Sequence, residues 1–381
     1  MKNLLLILLL TIVFGGCAVM QPLQKRKLIA VYHLIETAKY AEAKIEVEEL
    51  IDDKEAAQWP KTWYTRGVLS QIAYREGIRK NDRKLSELYP DQLYVTLESF
   101  NHTLALDKSG RFEKQLAPRY ILLANDFQVL GERHFGSKKY AEALRAFEQA
   151  LAISEKPVFS LQADTNLLYN TALAAFESKN WDKAIIYFGR LHDQRHSANV
   201  AHLLFKAHLQ KGDTLAAEKV MAEGIERYED DHELVLLLSD LYFTRNDTAA
   251  ALLTLEDAIR ENPDRQIFHY TKGLIYQKTG RYTDAIASYN EAIVLAPAEL
   301  MAYVNIATCY YNIGVGIDEN ARSIMNGTRA REEKAKSTAA YETAVSWLEK
   351  AYATNPKDKE ILAKLSEILK MIRIPETAGN P

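Results

Sequence analysis

Apolar and small residues recur along this chain at intervals of three and four, the period that places them on one face of an α-helix. The pattern is clearest between residues 264 and 297. There Gly273 and Tyr276 lie three apart, Gly280-Arg281-Tyr282 interrupts the run, Ala285, Tyr289 and Ala292 stripe a second run, and Pro297 ends it. Proline lacks an N–H and stops a helix, so the stretch predicts two antiparallel helices on a short turn. Such helices approach to about 8–10 Å only where small residues meet, and Gly273 and Ala285 are read as that contact.

The small residue of the second helix sets the register of the whole chain: Ala43, Thr96, Ala143, Ala184, Ala217, Ala251, Ala285 and Ala344. A larger residue follows each one four positions on: Val47, Phe100, Phe147, Phe188, Met221, Leu255, Tyr289 and Leu348. The first three spacings are 53, 47 and 41 residues, the next three 33, 34 and 34, and the last 59. Residues 165–297 are therefore a regular core, and each longer interval marks an insertion. The turn also recurs, as Lys39-Tyr40-Ala41-Glu42-Ala43, Lys139-Tyr140-Ala141-Glu142-Ala143, Asn180-Trp181-Asp182-Lys183-Ala184 and Arg281-Tyr282-Thr283-Asp284-Ala285.

This spacing resembles the tetratricopeptide repeat (TPR), a 34-residue pair of helices with Trp and Leu ahead of the glycine. Here His269 stands at the Trp position and Lys272 at the Leu position; Trp63 and Gly67 keep the spacing, with Arg66 at the Leu position. The resemblance implies an all-α helical solenoid over residues 25–372, about eight helix-turn-helix units plus a C-terminal capping helix. That cap runs from Asp358 to about Ile372, with Ile361, Leu362, Leu365, Ile368, Leu369 and Ile372 on one stripe, and residues 373–381 form a tail. Stacking is obligatory, because one such unit cannot bury its outer face.

The insertions at 78–91, 107–117 and 154–165 read as surface loops or helix extensions. The largest excess, residues 315–337, carries Asn326-Gly327 as a turn signal between helix-favouring runs with Arg329/Glu333 and Glu332/Lys336 at i, i+4. It reads as a helical hairpin that projects from the solenoid.

Residues 1–20 hold one Lys, an apolar run from Leu4 to Phe14 and small residues before Cys17, which is the form of a signal peptide. Phe14-Gly15-Gly16-Cys17 resembles the bacterial lipoprotein box. That resemblance implies removal of residues 1–16, lipid on Cys17 and a tether over 17–24; several acyl chains hold a protein on a membrane where one does not. Ala18 is not the Asp of inner-membrane retention, so the expected place is the outer membrane, periplasm-facing. Lys25-Arg26-Lys27 follow the tether, at the start of the helices.

Charge and chemistry narrow the function. Net charge is −3 with 26% charged residues of mixed sign, which gives no nucleic-acid footprint. There is no phosphate-binding glycine loop, HExxH, CxxC or G-x-S-x-G, so no enzyme, cofactor or metal is expected. His192, His196, His202 and His208 cluster in sequence but span a turn and the next helix, and Cys309 reads as an inert buried thiol.

In TPR families the concave wall is built from the first helices. Carried over, that wall is Tyr169, Leu173, Phe176, His202, Lys206, Leu236, Phe243, Tyr270, Leu274, Lys278, Tyr311 and Asn312. Aromatics with sparse charges suit an extended peptide or a partner helix. Asn170, Asn305 and Lys206 resemble only parts of the clamp by which some TPR domains hold a C-terminal carboxylate, and no clamp is expected. The sequence-based function is a membrane-anchored adaptor or scaffold for envelope proteins. The alternative is a glycan- or nutrient-binding outer-membrane lipoprotein, against which stand the scattered positions of Trp59, Trp63, Trp181 and Trp347.

Overall fold

A computed structural model describes residues 23–156, 164–229, 231–356 and 359–372. The expected signal peptide, Cys17, residues 157–163 of the 154–165 insertion and the 373–381 tail lie outside the described residues. Among those described there is no strand. The chain divides into two compact units, one ending at Leu191 and the other starting at His192.

The first unit stacks four helical hairpins: α1 (Leu23–Glu36) with α2 (Tyr40–Asp52); α3 (Pro60–Lys80) with α5 (Gln92–Leu106); α6 (Glu113–Gly136) with α7 (Tyr140–Ser154); and α8 (Thr165–Glu177) with α9 (Trp181–Asp193). A single turn, α4 (Arg83–Ser86), lies inside the second hairpin. In the second unit the pairs are α10 (Ala198–Lys211) with α11 (Thr214–Arg227), α12 (His232–Thr244) with α13 (Thr248–Glu261), α14 (Gln266–Lys278) with α15 (Tyr282–Leu295), and α16 (Leu300–Arg322) with α17 (Gly327–Thr354). A last helix, α18 (Lys359–Ile372), packs on α17.

One turn geometry closes six of the hairpins. Two positions before each second helix, Ala38, Lys138, Lys179, Gly212, Asn246 and Gly280 adopt a left-handed backbone, with φ between 57° and 82°. The following N–H then bonds back five residues, as in Arg281 to Tyr276 O at 2.9 Å, and satisfies a carbonyl that the helix end leaves open. Four of these six residues carry a side chain and bear the steric penalty of that conformation.

The atoms nearest to where a Cβ on the first helix's glycine would lie belong to an aromatic ring of the second helix, a contact the sequence did not suggest beside that of Gly273 with Ala285. A Cβ on Gly273 would fall 2.6 Å from the Tyr289 ring; on Gly67, 2.5 Å from Phe100; on Gly131, 2.5 Å from Phe147; on Gly314, 2.6 Å from Tyr341. The missing Cβ makes room for a ring, which lets one fully buried aromatic fill the hairpin. Tyr289, Phe100 and Phe147 are 0–2% exposed. In the last hairpin this moves the pairing to Tyr341, one to two turns before Leu348; Leu348 lies with Val304 and Ala307 in the terminal cluster.

The departures from Trp and Leu also have physical equivalents. Trp63 Nε1 donates to Ala57 O at 2.8 Å, His269 Nε2 to Pro263 O at 3.1 Å, and Tyr303 Oη to Pro297 O at 3.0 Å. Each ring bonds the carbonyl six residues back and fixes the entry into its repeat. At the Leu position, Lys272 reaches Glu256 at 2.8 Å, and Arg66 reaches Glu48 at 2.9 Å and Glu98 at 3.0 Å, so an ion pair to a second helix replaces an apolar contact.

Of residues 78–91, the first three extend α3 and the rest form a surface segment that folds back onto the core. Leu85 and Leu88 pack on the core of the first hairpin, and Tyr89 is 4% exposed. Lys44 Nζ donates to Leu88 O at 2.8 Å, and Gln92 accepts from Tyr89 N while donating to Ser70 O at 2.8 Å. Gly77 allows this close approach: a Cβ there would lie 2.8 Å from Ser86 Cα and 2.9 Å from Asp82 O. In α16 and α17, by contrast, the extra residues simply continue both helices. Met325 at their tip is fully exposed. Asn326 caps α17 by accepting from Thr328 N and Arg329 N, and Lys336 pairs with Glu333 at 2.7 Å rather than with Glu332. On α18, Ile368 is buried and Leu369 packs on the same cluster, whereas Leu362 is 42% exposed.

Candidate functional site

The twelve sequence-derived wall residues fall into three in the first unit and nine in the second. In the first, Tyr169, Leu173 and Phe176 are all half-buried on α8. Two of them serve the hairpin interior: Phe176 meets Trp181 at 5.3 Å and Phe188 at 6.3 Å, and Tyr169 meets Phe188 at 6.2 Å. Packing thus takes up much of their surface.

In the second unit, Leu236 and Tyr270 occupy one position of successive 34-residue repeats, and Lys206 and Leu274 stand two repeats apart at another. Leu236, Phe243, Tyr270 and Leu274 are half-buried, each resting one side on the core formed by α12 to α15. Asn305 Nδ2 donates to Tyr270 Oη at 3.0 Å, tying α16 to α14, and the Lys278 ammonium lies 5.4 Å from the Phe243 ring. The Lys206 and Lys278 side chains are exposed. Burial, and then Lys206, hold His202 below the usual imidazole range, and burial raises the Tyr270 hydroxyl. His202 is therefore a neutral ring at pH 7, 3.5 Å from the Glu233 carboxylate. Tyr311 meets Tyr341 at 5.7 Å, and Asn312 is half-buried beside it. Asp240, exposed on α12 between the positions of Lys206 and Leu274, is a charge that the sequence comparison overlooked. Chemically the face offers apolar half-surfaces bordered by ammonium groups and one carboxylate.

The histidines do not converge. His192 Nε2 faces Glu223 at 3.2 Å, and His208 Nδ1 lies 3.9 Å from Asp213, so these and His202 each sit beside a different carboxylate. Among the described residues no group of three or more His, Cys, Asp or Glu side chains could hold a metal ion. Cys309 is fully buried, and burial pushes its thiol up to about 12, which leaves it protonated and unreactive. No described helix is long and apolar enough to cross a membrane.

The family profile described as tetratricopeptide repeat matches residues 129–199, 202–265, 236–300 and 270–314. These residues are tetratricopeptide repeats. The TPR match covers the hairpins in which the left-handed turn and the 34-residue period are most regular. Over 84 residues the chain is 31% identical to the peroxisomal targeting signal receptor of Saccharomyces cerevisiae, an alignment spanning 22% of this chain and 14% of that protein. Two solved structures are similar. A TPR repeats protein of Bacteroides fragilis is 19% identical, covering 65% of this chain and 98% of that one with a TM-score of 0.36. The C-terminal part of a TPR repeat-containing protein of Cytophaga hutchinsonii is 16% identical, with coverages of 62% and 98% and a TM-score of 0.39.

Proposed function

We propose that the chain is a TPR adaptor of the bacterial cell envelope, lipid-anchored through Cys17 on the outer membrane, that binds envelope proteins on the first helices of its second unit. TPR units are generally non-catalytic scaffolds for protein–protein contacts, and the reading is of a non-enzymatic role. The observation that carries it is the run of half-buried Leu236, Phe243, Tyr270 and Leu274 beside exposed Lys206 and Lys278. Half-buried apolar side chains are already ordered, so a peptide laid on them gains apolar contact at little further entropic cost. The glycan alternative has less support. Trp63 stacks on His102 at 4.1 Å, Trp181 meets Phe176 edge-on, Trp347 meets Tyr303 at a tilt, and Trp59 packs on the first core, so the indoles are engaged within the protein.

The test is crosslinked capture from envelope membranes with wild type, Cys17→Ala and the Lys206→Glu/Lys278→Glu double variant. The adaptor reading expects one set of envelope proteins, lost or reduced in both variants. An identical set in all three, or micromolar binding of oligosaccharides with no protein captured, would overturn it.

A further inference from the structure

The folded segment 81–91 does more than connect α3 to α5. With α6 and the start of α7 it walls a cleft of about 560 Å³ in the first unit, within the size range of small-ligand sites. The floor is apolar and aromatic: Tyr74, Tyr89 and Leu93 are 7%, 4% and 1% exposed. The rim is charged, and its charges are unequally satisfied. Glu87 pairs with Arg83 at 2.9 Å, and Arg145 pairs with Asp91 at 3.3 Å while stacking on the Tyr94 ring at 3.9 Å. Arg133 and Glu142 are different. The Arg133 guanidinium donates to Tyr74 Oη at 3.2 Å, and no carboxylate among the described residues lies within ion-pair distance of it. Glu142 likewise has no ion-pair partner there, although its charge is felt by His134, which also lines the cleft.

An unpaired cation and an unpaired anion over one aromatic floor are complementary to a molecule carrying both charges on an apolar body. We propose that this cleft is a binding site for a small zwitterion of the amino-acid or short-peptide class, its carboxylate on Arg133 and its ammonium group on Glu142. The fork of the guanidinium suits a carboxylate, and such charge-assisted contacts are the stronger hydrogen bonds. The wall is preorganised. Gly77 admits the Ser86 backbone, Lys44 holds Leu88 O, and Gln92 holds Tyr89 N, so binding need not order the segment. The site shares no residue with the face of the second unit and stands independently of the adaptor reading.

The test is calorimetric titration of the full chain in detergent with the tripeptide Ala-Phe-Ala, its N-acetyl form and its C-terminal amide. Saturable binding of the free tripeptide is expected, with each blocking group weakening it at least about tenfold. Arg133→Gln should weaken the free tripeptide by a similar factor and make amidation silent, and Glu142→Gln should make acetylation silent. Both side chains are exposed, so both variants should fold as wild type does. No saturation up to about 10 mM overturns the proposal. So does binding that Arg133→Gln and Glu142→Gln leave unchanged, which would place the peptide elsewhere on the protein.

Discussion

The second hairpin and the last one both hold extra residues between their paired positions, and they accommodate them in opposite ways. In the second, residues 81–91 leave the helix at left-handed Asn81, form one turn under the Asp82 cap and fold down onto the core. In the last, α16 and α17 grow outward in step, past the Gly314–Tyr341 contact, to a tip where Met325 is fully exposed. The difference lies in side-chain chemistry. Leu85, Leu88 and Tyr89 offer apolar surface that must be covered, whereas Arg322, Arg329, Arg331, Glu332, Glu333, Lys334 and Lys336 are best solvated. Asp318–Arg322 and Glu333–Lys336 pairs then stabilise the exposed arm only slightly. Length alone therefore says little about what an insertion in a repeat does.

Glycines in the two hairpins make the comparison sharp. Gly77→Ala should destabilise the protein by roughly 2 kcal/mol, because the new methyl meets backbone atoms of 82–86 that cannot rotate away. Urea unfolding would measure it, and a neutral result would mean that the segment is not held down. The next effect is pH-dependent and concerns how the long α3 is fixed to α6. Asp126 faces Arg75 at 3.4 Å, is 15% exposed, and has one carboxylate oxygen with no partner. Burial raises it to about 6 despite the Arg75 charge. Its folded-state value lies above the unfolded one, so the stability it contributes is full below about pH 4 and is lost as pH climbs through about 6. Asp126→Asn should accordingly raise stability by about 1–3 kcal/mol at pH 8, with the gain vanishing near pH 4. A gain independent of pH would refute the assignment.

Much of the architecture is written in the second helices. Ala43 through Ala285, each with a large residue four positions on, set a register that the structure keeps, because a close helix crossing tolerates little else there. Other features were illegible for specific reasons. The left-handed turn residue is Ala38, Lys138, Lys179 or Asn246 in four of the six turns and Gly only in two, so glycine does not mark the position. The ring-to-carbonyl bond is made by Trp63, His269 and Tyr303, of which a pattern search for Trp treats the last two as mismatches. In the wall residues the position in the repeat was readable, but not how much of Tyr169 and Phe176 is taken up by packing against Phe188. The cleft under 81–91 joins residues some 70 positions apart, from Tyr74 to Arg145, and nothing in the repeat period points to it.

Smaller effects are expected in the arm. Gly316 sits inside α16 with open space where a Cβ would be, so Gly316→Ala should stabilise by about 0.5–1 kcal/mol, the opposite sign to Gly77→Ala, in the same unfolding assay. Replacing residues 315–336 by the eleven residues 274–284 would give Gly314 and Ser337 the spacing of Gly273 and Ala285. Its effect on the thermal midpoint should be smallest, within about 3 °C, since the arm buries little beyond Ala321.

Native-state hydrogen exchange, followed by peptide-level mass spectrometry, tests the contrast most directly. Amides of residues 85–92 should exchange with the slow core of α3, and those of residues 318–332 at least about a hundredfold faster by local opening of the arm. Equal protection of the two segments, or faster exchange in 85–92, would contradict the division into a folded-down wall and a free-standing arm.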